Sequence, residues 1–246
     1  MSDDKKYLFL NSYFEARQKH VADHTDFDRM MNSEDRESAM EVLHDTDYGV
    51  HALESNSLEE TIGKEKRAFK EQLSRMGYER LTDLYFLKED MSNLRMILKE
   101  KATGVDAGEL IPSGKSKEEL KREFEEELRE IEEMKDPAEL DDRITELKLG
   151  KLKEHAKESP ETEQFTREYE EALKNLSGEE REKRIREIEN DFLEEHKKEN
   201  EGLAPILAYF MQKWRAEKFI RAIISGKEAD LSPSKIKEII YSLRIL

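Results

Sequence analysis

Cysteine is missing from this chain, which removes a disulfide framework, a thiolate nucleophile and thiolate metal sites from consideration. That fits a reducing interior. Five prolines, ten glycines and few runs of β-branched residues in 246 leave turn-rich β structure little to build on. Long apolar runs are scarce as well. Tyr7 to Leu10 is far too short for a signal peptide or a membrane span, and Leu203 to Met211 is short and interrupted by Pro205. The opening MSDDKK is acidic before it is basic, so the sequence predicts a soluble protein whose membrane role could only be peripheral. Net positive charge is also lacking. A formal charge of -16 argues against a nucleic-acid binder, because phosphate recognition draws most of its free energy from clustered Lys and Arg.

What remains is charge and helix. The chain is 41% charged and 36% hydrophobic, and its apolar residues recur at helical spacing, so the fold class expected is all-α. The densest apolar cluster surrounds the single Trp. Leu207, Phe210, Met211, Trp214, Phe219, Ile220, Ile223 and Ile224 line one helix side, and Gly226 reads as its stop. Ile220-Arg221-x-Ile223-Ile224 echoes Leu94-Arg95-x-Ile97-Leu98, and both lead to glycine and a new capped helix. Repeated helical-hairpin units are therefore expected.

Residues 5 to 22 read as a first amphipathic helix with Tyr7, Leu10, Phe14 and Val21 on one stripe and Arg17 among them. Asp23 to Asn32 reads as turn-prone, with Ser33 capping a short helix through Leu43. Ser57 with Glu60 caps a helix through Leu58, Ile62, Phe69, Leu73 and Met76, closed by Gly77. Leu81 to Ala102 follows, ended by Gly104, and the loop Val105 to Lys115 is the expected boundary. That divides the chain into an N-terminal unit, 1–110, and a C-terminal region, 111–246, the latter holding a reduced middle unit at about 116–177 and a closing unit at about 178–246. From Ser116 onward Glu- and Lys-rich helices carry thin apolar stripes. One bears Leu120, Phe124, Leu128 and Ile131; one starts at Asp136-Pro137; others follow Ser159-Pro160, Ser177 with Glu180, and Ser232-Pro233, the last through Ile236, Ile239, Ile240 and Leu243.

A search for chemistry finds little. A di-metal carboxylate bundle needs two Glu-x-x-His pairs, and only Glu41-Val42-Leu43-His44 fits. His20 and His24, one turn apart with Asp23 between, lack an identifiable third ligand, and the alternative is surface histidines at a helix end. No Walker or Rossmann phosphate loop and no Gly-x-Ser-x-Gly is present. No catalytic residue, metal site or cofactor is expected; the sequence supports a scaffold that works by contact. A helical-bundle metalloenzyme using Glu41 and His44 stays as a third reading.

Several motifs in order carry a resemblance. Tyr13-x-x-Ala16-Arg17, then Leu43-x-Asp45-Thr46-Asp47-Tyr48-Gly49, then Asp90-x-x-Asn93-Leu94-Arg95-x-x-Leu98 followed by Leu110-Ile111-Pro112-x-Gly114, resemble the C-type central-stalk component of the A-type and bacterial V-type rotary ATPases, the family that includes the d-type component of the eukaryotic V-ATPase. Pro205-Ile206-Leu207-Ala208-Tyr209, Glu217, Arg221, Gly226-Lys227 and Leu231-Ser232-x-x-x-Ile236-x-Glu238 are similar to its closing helices.

The resemblance implies an all-helical funnel of three similar units on the cytoplasmic face of the membrane rotor ring. Such a protein receives the foot of the shaft made by the D-type and F-type components and passes torque between shaft and proteolipid ring, in proton or sodium transport, without catalytic residues. Tyr13, Arg17, Asn93, Arg95 and Arg221 are the expected contacts to shaft or ring, since Arg and Tyr carry interface energy out of proportion to their number. The alternative is that Tyr13 and Asn93 fix helix packing. The chain is shorter than the family norm by about one unit: Asn175-Leu176 looks like a counterpart of Asn93-Leu94, yet Ser177-Gly178 breaks the helix there, so the funnel is expected to be incomplete. A free-standing acidic interaction protein on the same fold is the second reading.

Overall fold

The computed structural model of the protein describes residues 7–104, 106, 108–131, 137–156 and 159–242. Lys5, Lys6, Val105, Asp136 and Leu243, and the Ile131 side chain, lie outside what is described. The described residues form helices and no strand, as the composition requires. Backbone contacts divide the chain into unit 1, Met1–Glu65 with Glu171–Leu246, and unit 2, Lys66–Glu170. The expected boundary near residue 110 falls inside unit 2, and unit 1 joins both ends of the chain, where the first helix packs on the long helix that begins at Ala204.

Unit 1 is built around α12 (Ala204–Glu228). Its first two turns are buried on every side, from Ala204 through Phe210, and further on Lys213, Ala216, Phe219, Ile220, Ile223 and Ile224 are buried too. Against it pack α1 (Leu8–Gln18), α2 (His24–Asn32), α3 (Arg36–Glu41), α11 (Gly178–His196) and α13 (Pro233–Ser242). Phe14 of α1 stacks on Tyr209 at 4.7 Å between ring centroids and meets Phe210 edge-on at 5.7 Å. Phe27 of α2 stacks on Phe219 at 4.7 Å. The buried rings of Phe14, Tyr209, Phe210 and Phe219 each contribute roughly 1.5–3 kcal/mol through burial, so α12 organises this unit.

Gly226 does not stop α12, contrary to the sequence expectation; the helix runs on to Glu228. The glycine serves approach instead. A Cβ there would lie 2.6 Å from Ile236 Cγ1, so only a bare backbone lets α13 close on α12. The segment 23–32 is helix rather than turn, because Asp23 accepts the Thr25 and Asp26 N–H groups while Asp26 accepts the Asp23 N–H, and Met30 and Met31 supply a core face. Asp35, not Ser33, caps α3 by accepting the Ser38 N–H at 2.8 Å. Among the described residues the first helix runs Leu8–Gln18 and ends ahead of the expected residue 22, and Asp23 then caps the next element.

The chain passes into unit 2 within α5 (Leu58–Arg75) and returns within α10 (Pro160–Asn175). Unit 2 rests on α6 (Glu79–Thr103), ended by Gly104 in the left-handed conformation as expected. Leu87, Met91, Leu94, Ile97 and Leu98 of α6 form a core with Leu120 and Phe124 near α7 (Lys117–Glu123), Leu128 of α8 (Glu125–Ile131), and Leu140 and Ile144 of α9 (Pro137–Ala156). The single helix expected after Ser116 is broken at Phe124, which leaves the helical backbone region and buries its ring. Ser177 makes no capping bond to α11; Gly178, at φ +53, makes the turn there.

Candidate functional site

The residues singled out by the sequence fall into three places. Tyr13 and Arg17 sit one turn apart on α1, so the Arg17 Nη1 donates to the Tyr13 hydroxyl at 2.8 Å and its Nη2 to Glu65 Oε1 at 3.3 Å. Glu65 projects from α5, and Lys213 from α12 donates to the same Oε1 at 2.8 Å and to Asp47 Oδ2 at 2.5 Å. The Lys213 ammonium also lies 4.4 Å from the centre of the Tyr48 ring. Two cations thus meet two carboxylates, and the cluster is formally neutral.

Local structure explains why Asp47 and Tyr48 arrive there. A 3₁₀ turn, Val42–Asp45, is followed by Thr46, whose hydroxyl donates to the Leu43 carbonyl at 2.7 Å, while the Asp47 N–H donates to the His20 carbonyl at 2.8 Å. Gly49 opens α4 (Gly49–Leu53), and a Cβ on it would meet the His44 carbonyl oxygen at 2.3 Å. The Asp-Thr-Asp-Tyr-Gly motif is therefore a turn that directs one acid and one ring inward.

Burial governs the electrostatics. The Lys213 side chain is 0% accessible, Glu65 2% and Asp47 4%, against 24% for Arg17. Burial pushes the Asp47 carboxyl above its usual range despite the pull of Lys213, and it pushes the Tyr48 phenol well up as well. For Arg17 burial works against the charge, but Tyr209, Tyr13 and Glu65 outweigh it and hold the guanidinium above its usual value. Asp47 Oδ1 and Glu65 Oε2 are buried with no hydrogen-bond partner among the described residues. Such a cluster fixes which helices meet and offers no nucleophile to solvent.

Asn93 and Arg95 lie in unit 2. Asn93 is fully buried on α6 and clamps the loop before α7: its Nδ2 donates to the Ile111 and Lys115 carbonyls at 3.0 and 3.2 Å, and its Oδ1 accepts the Ile111 N–H at 2.7 Å. Asp90, one turn earlier, accepts the Lys115 N–H. Gly114 completes the clamp, since a Cβ would come within 2.7 Å of Asn93 Nδ2. Arg95 is half-buried. Arg221, in unit 1, is bound by Glu217 at 3.0 Å and by Glu59.

Tyr13 and Arg17 are thus brought together, Asn93 holds a loop, and Arg221 stands apart from the ionic network. Glu41 ends α3 and His44 lies in the 3₁₀ turn; among the described residues no group of three or more His, Asp or Glu is placed to hold a metal ion. Asp23, which lies between His20 and His24, is committed to capping α2. No helix among the described residues is long and apolar enough to cross a membrane. The chain matches no protein-family model and no curated protein.

Proposed function

We propose that the chain is a non-catalytic central-stalk component of a V/A-type rotary ATPase, coupling the shaft of D-type and F-type components to the proteolipid ring on the cytoplasmic face of the membrane. The observation that carries this reading is where the motif residues go. Tyr13 and Arg17 from one motif and Asp47 and Tyr48 from another share one ionic network, and Asp90 and Asn93 share one clamp with Ile111 and Gly114. A torque coupling also has to resist shear, and a buried network joining α1, α5 and α12 opposes sliding because any displacement strands a desolvated charge.

The test is assembly. Mixed with a D-type shaft protein or a detergent-solubilised proteolipid ring, the purified protein is expected to co-elute as a stable complex in size-exclusion chromatography with light scattering. Binding to neither partner removes the rotor role. A second reading, an acidic helical interaction protein on the same fold, is favoured by the break between α10 and α11 at Ser177-Gly178. A gene placed beside those of other rotary-ATPase components supports the first reading; an isolated gene supports the second.

A further inference from the structure

Halfway along α5 two neighbouring residues of opposite charge are both buried. Glu65 Oε1 accepts from the Lys213 ammonium of α12 at 2.8 Å and from the Arg17 guanidinium of α1 at 3.3 Å. The Lys66 ammonium donates to Glu89 Oε1 of α6 at 2.6 Å, and that pair is closed to solvent too, with side chains 5% and 8% accessible. Adjacent positions of an α-helix point about 100° apart, so the two ties hold different sides of α5. The chain passes from unit 1 to unit 2 between these same two residues. Neither carboxylate has a second support: Glu65 Oε2 and Glu89 Oε2 are buried with no hydrogen-bond partner among the described residues.

We propose that the Glu65–Lys66 step makes α5 a relay, coupling the Lys213 network to the Lys66–Glu89 pair so that loosening either one loosens the other. The reason is geometric. A helix turns and slides as one body, so a movement of α5 that relieves one ion pair carries the other out of alignment. Exposed pairs absorb such a shift by bending long side chains through solvent, as Glu59 with Arg221 and Lys64 with Glu60 can do on the same helix. Buried pairs cannot, because lengthening them strands a desolvated charge. Coupling of this kind is a free energy shared by two sites, so it reads the same from either end. The inference goes beyond the rotor reading, since it concerns movement within the chain and holds whether or not a shaft is bound.

Hydrogen exchange read by mass spectrometry on the full chain tests the relay from both ends. Lys213→Met with Asp47→Asn removes the Lys213 tie and leaves Glu65 on Arg17, so the cluster stays neutral. In that variant the α6 amides around Glu89 are expected to exchange about tenfold faster, a size usual for coupled sites. Lys66→Met with Glu89→Gln replaces the other pair by uncharged side chains of similar volume, a change that buried pairs tolerate. It should speed exchange at residues 47–53 by a similar factor, and it decides alone if the first variant does not fold. Gly226→Ala is the control, because it disturbs the approach of α13 to α12 and leaves both ties in place. Faster exchange at each remote site, with α6 unmoved by Gly226→Ala, supports the relay. An unchanged remote site in either folded double variant, or an equal change at α6 in Gly226→Ala, overturns it.

Discussion

Asp90 Oδ1 accepts the Lys115 N–H at 2.6 Å, while the Lys115 ammonium stands 3.6 Å from Asp90 Oδ2 and closer to Asp83 and Glu123. The carboxylate therefore pins the loop ahead of α7 with a full charge that is almost wholly buried.

That charge is costly. Burial raises the Asp90 carboxyl from 3.8 to about 6, with Glu123 adding to the rise and Lys115 and Lys70 opposing it. A raised carboxyl binds its proton better folded than unfolded, so its contribution to stability is full below pH 3.8 and lost as the pH rises through about 6. Asp90→Asn keeps an acceptor for the Lys115 N–H without the charge. Urea unfolding at pH 7.5 is expected to show the variant more stable by about 2 kcal/mol, with the advantage vanishing near pH 4. An advantage that does not change with pH would remove this account of Asp90.

Lys213 poses the opposite case. Lys213→Met leaves Asp47 and Glu65 buried with no ammonium between them and is expected to cost about 3–5 kcal/mol. Adding Asp47→Asn, which leaves Glu65 paired with Arg17 and the cluster neutral again, should recover most of that loss, because the penalty lies in stranded charge rather than in a missing attraction. Thermal unfolding of the single and double variants decides it; a double variant no better than Lys213→Met refutes the explanation.

Two helical glycines should respond with opposite sign. Gly150, exposed in α9, has nothing within 4 Å of an added Cβ, so Gly150→Ala is expected to gain about 0.5–1 kcal/mol of stability from propensity alone. Gly226→Ala drives a methyl to 2.6 Å from Ile236 Cγ1 and should lose about 1–3 kcal/mol despite the same gain in propensity. Equal shifts in the two unfolding midpoints would mean that α13 does not press on α12 as the structure has it.

Much of the fold is legible where apolar spacing and caps agree. The Ser116–Glu119 box and the left-handed Gly104 are examples, for each is a local event. Gly226 misleads because a glycine before a loop looks the same whether it ends a helix or admits a neighbour, and only Ile236, ten residues later, decides. The ionic network is half visible. Tyr13, Arg17, Asp47 and Tyr48 stand out by motif, whereas Lys213 and Glu65 read as ordinary charges. A signal exists: Lys213 continues the spacing of Ile206, Phe210, Ala216 and Ile220, and Glu65 that of Leu58, Ile62, Phe69 and Leu73. A charged residue in an apolar register is a buried partner awaiting its counter-charge. Which counter-charge it meets is set by tertiary contact between residues 148 and 166 positions apart, which spacing cannot reveal.

The pairing of Phe14 with Tyr209 has a consequence for biosynthesis. At roughly 5–20 residues per second, α1 leaves the ribosome on the order of ten seconds or more before α12 exists to cover it. Unit 2, continuous in sequence, has no such wait. The nascent chain therefore carries a finished middle beside an uncovered amino-terminal aromatic face, and that interval is when a chaperone or a protease would find it.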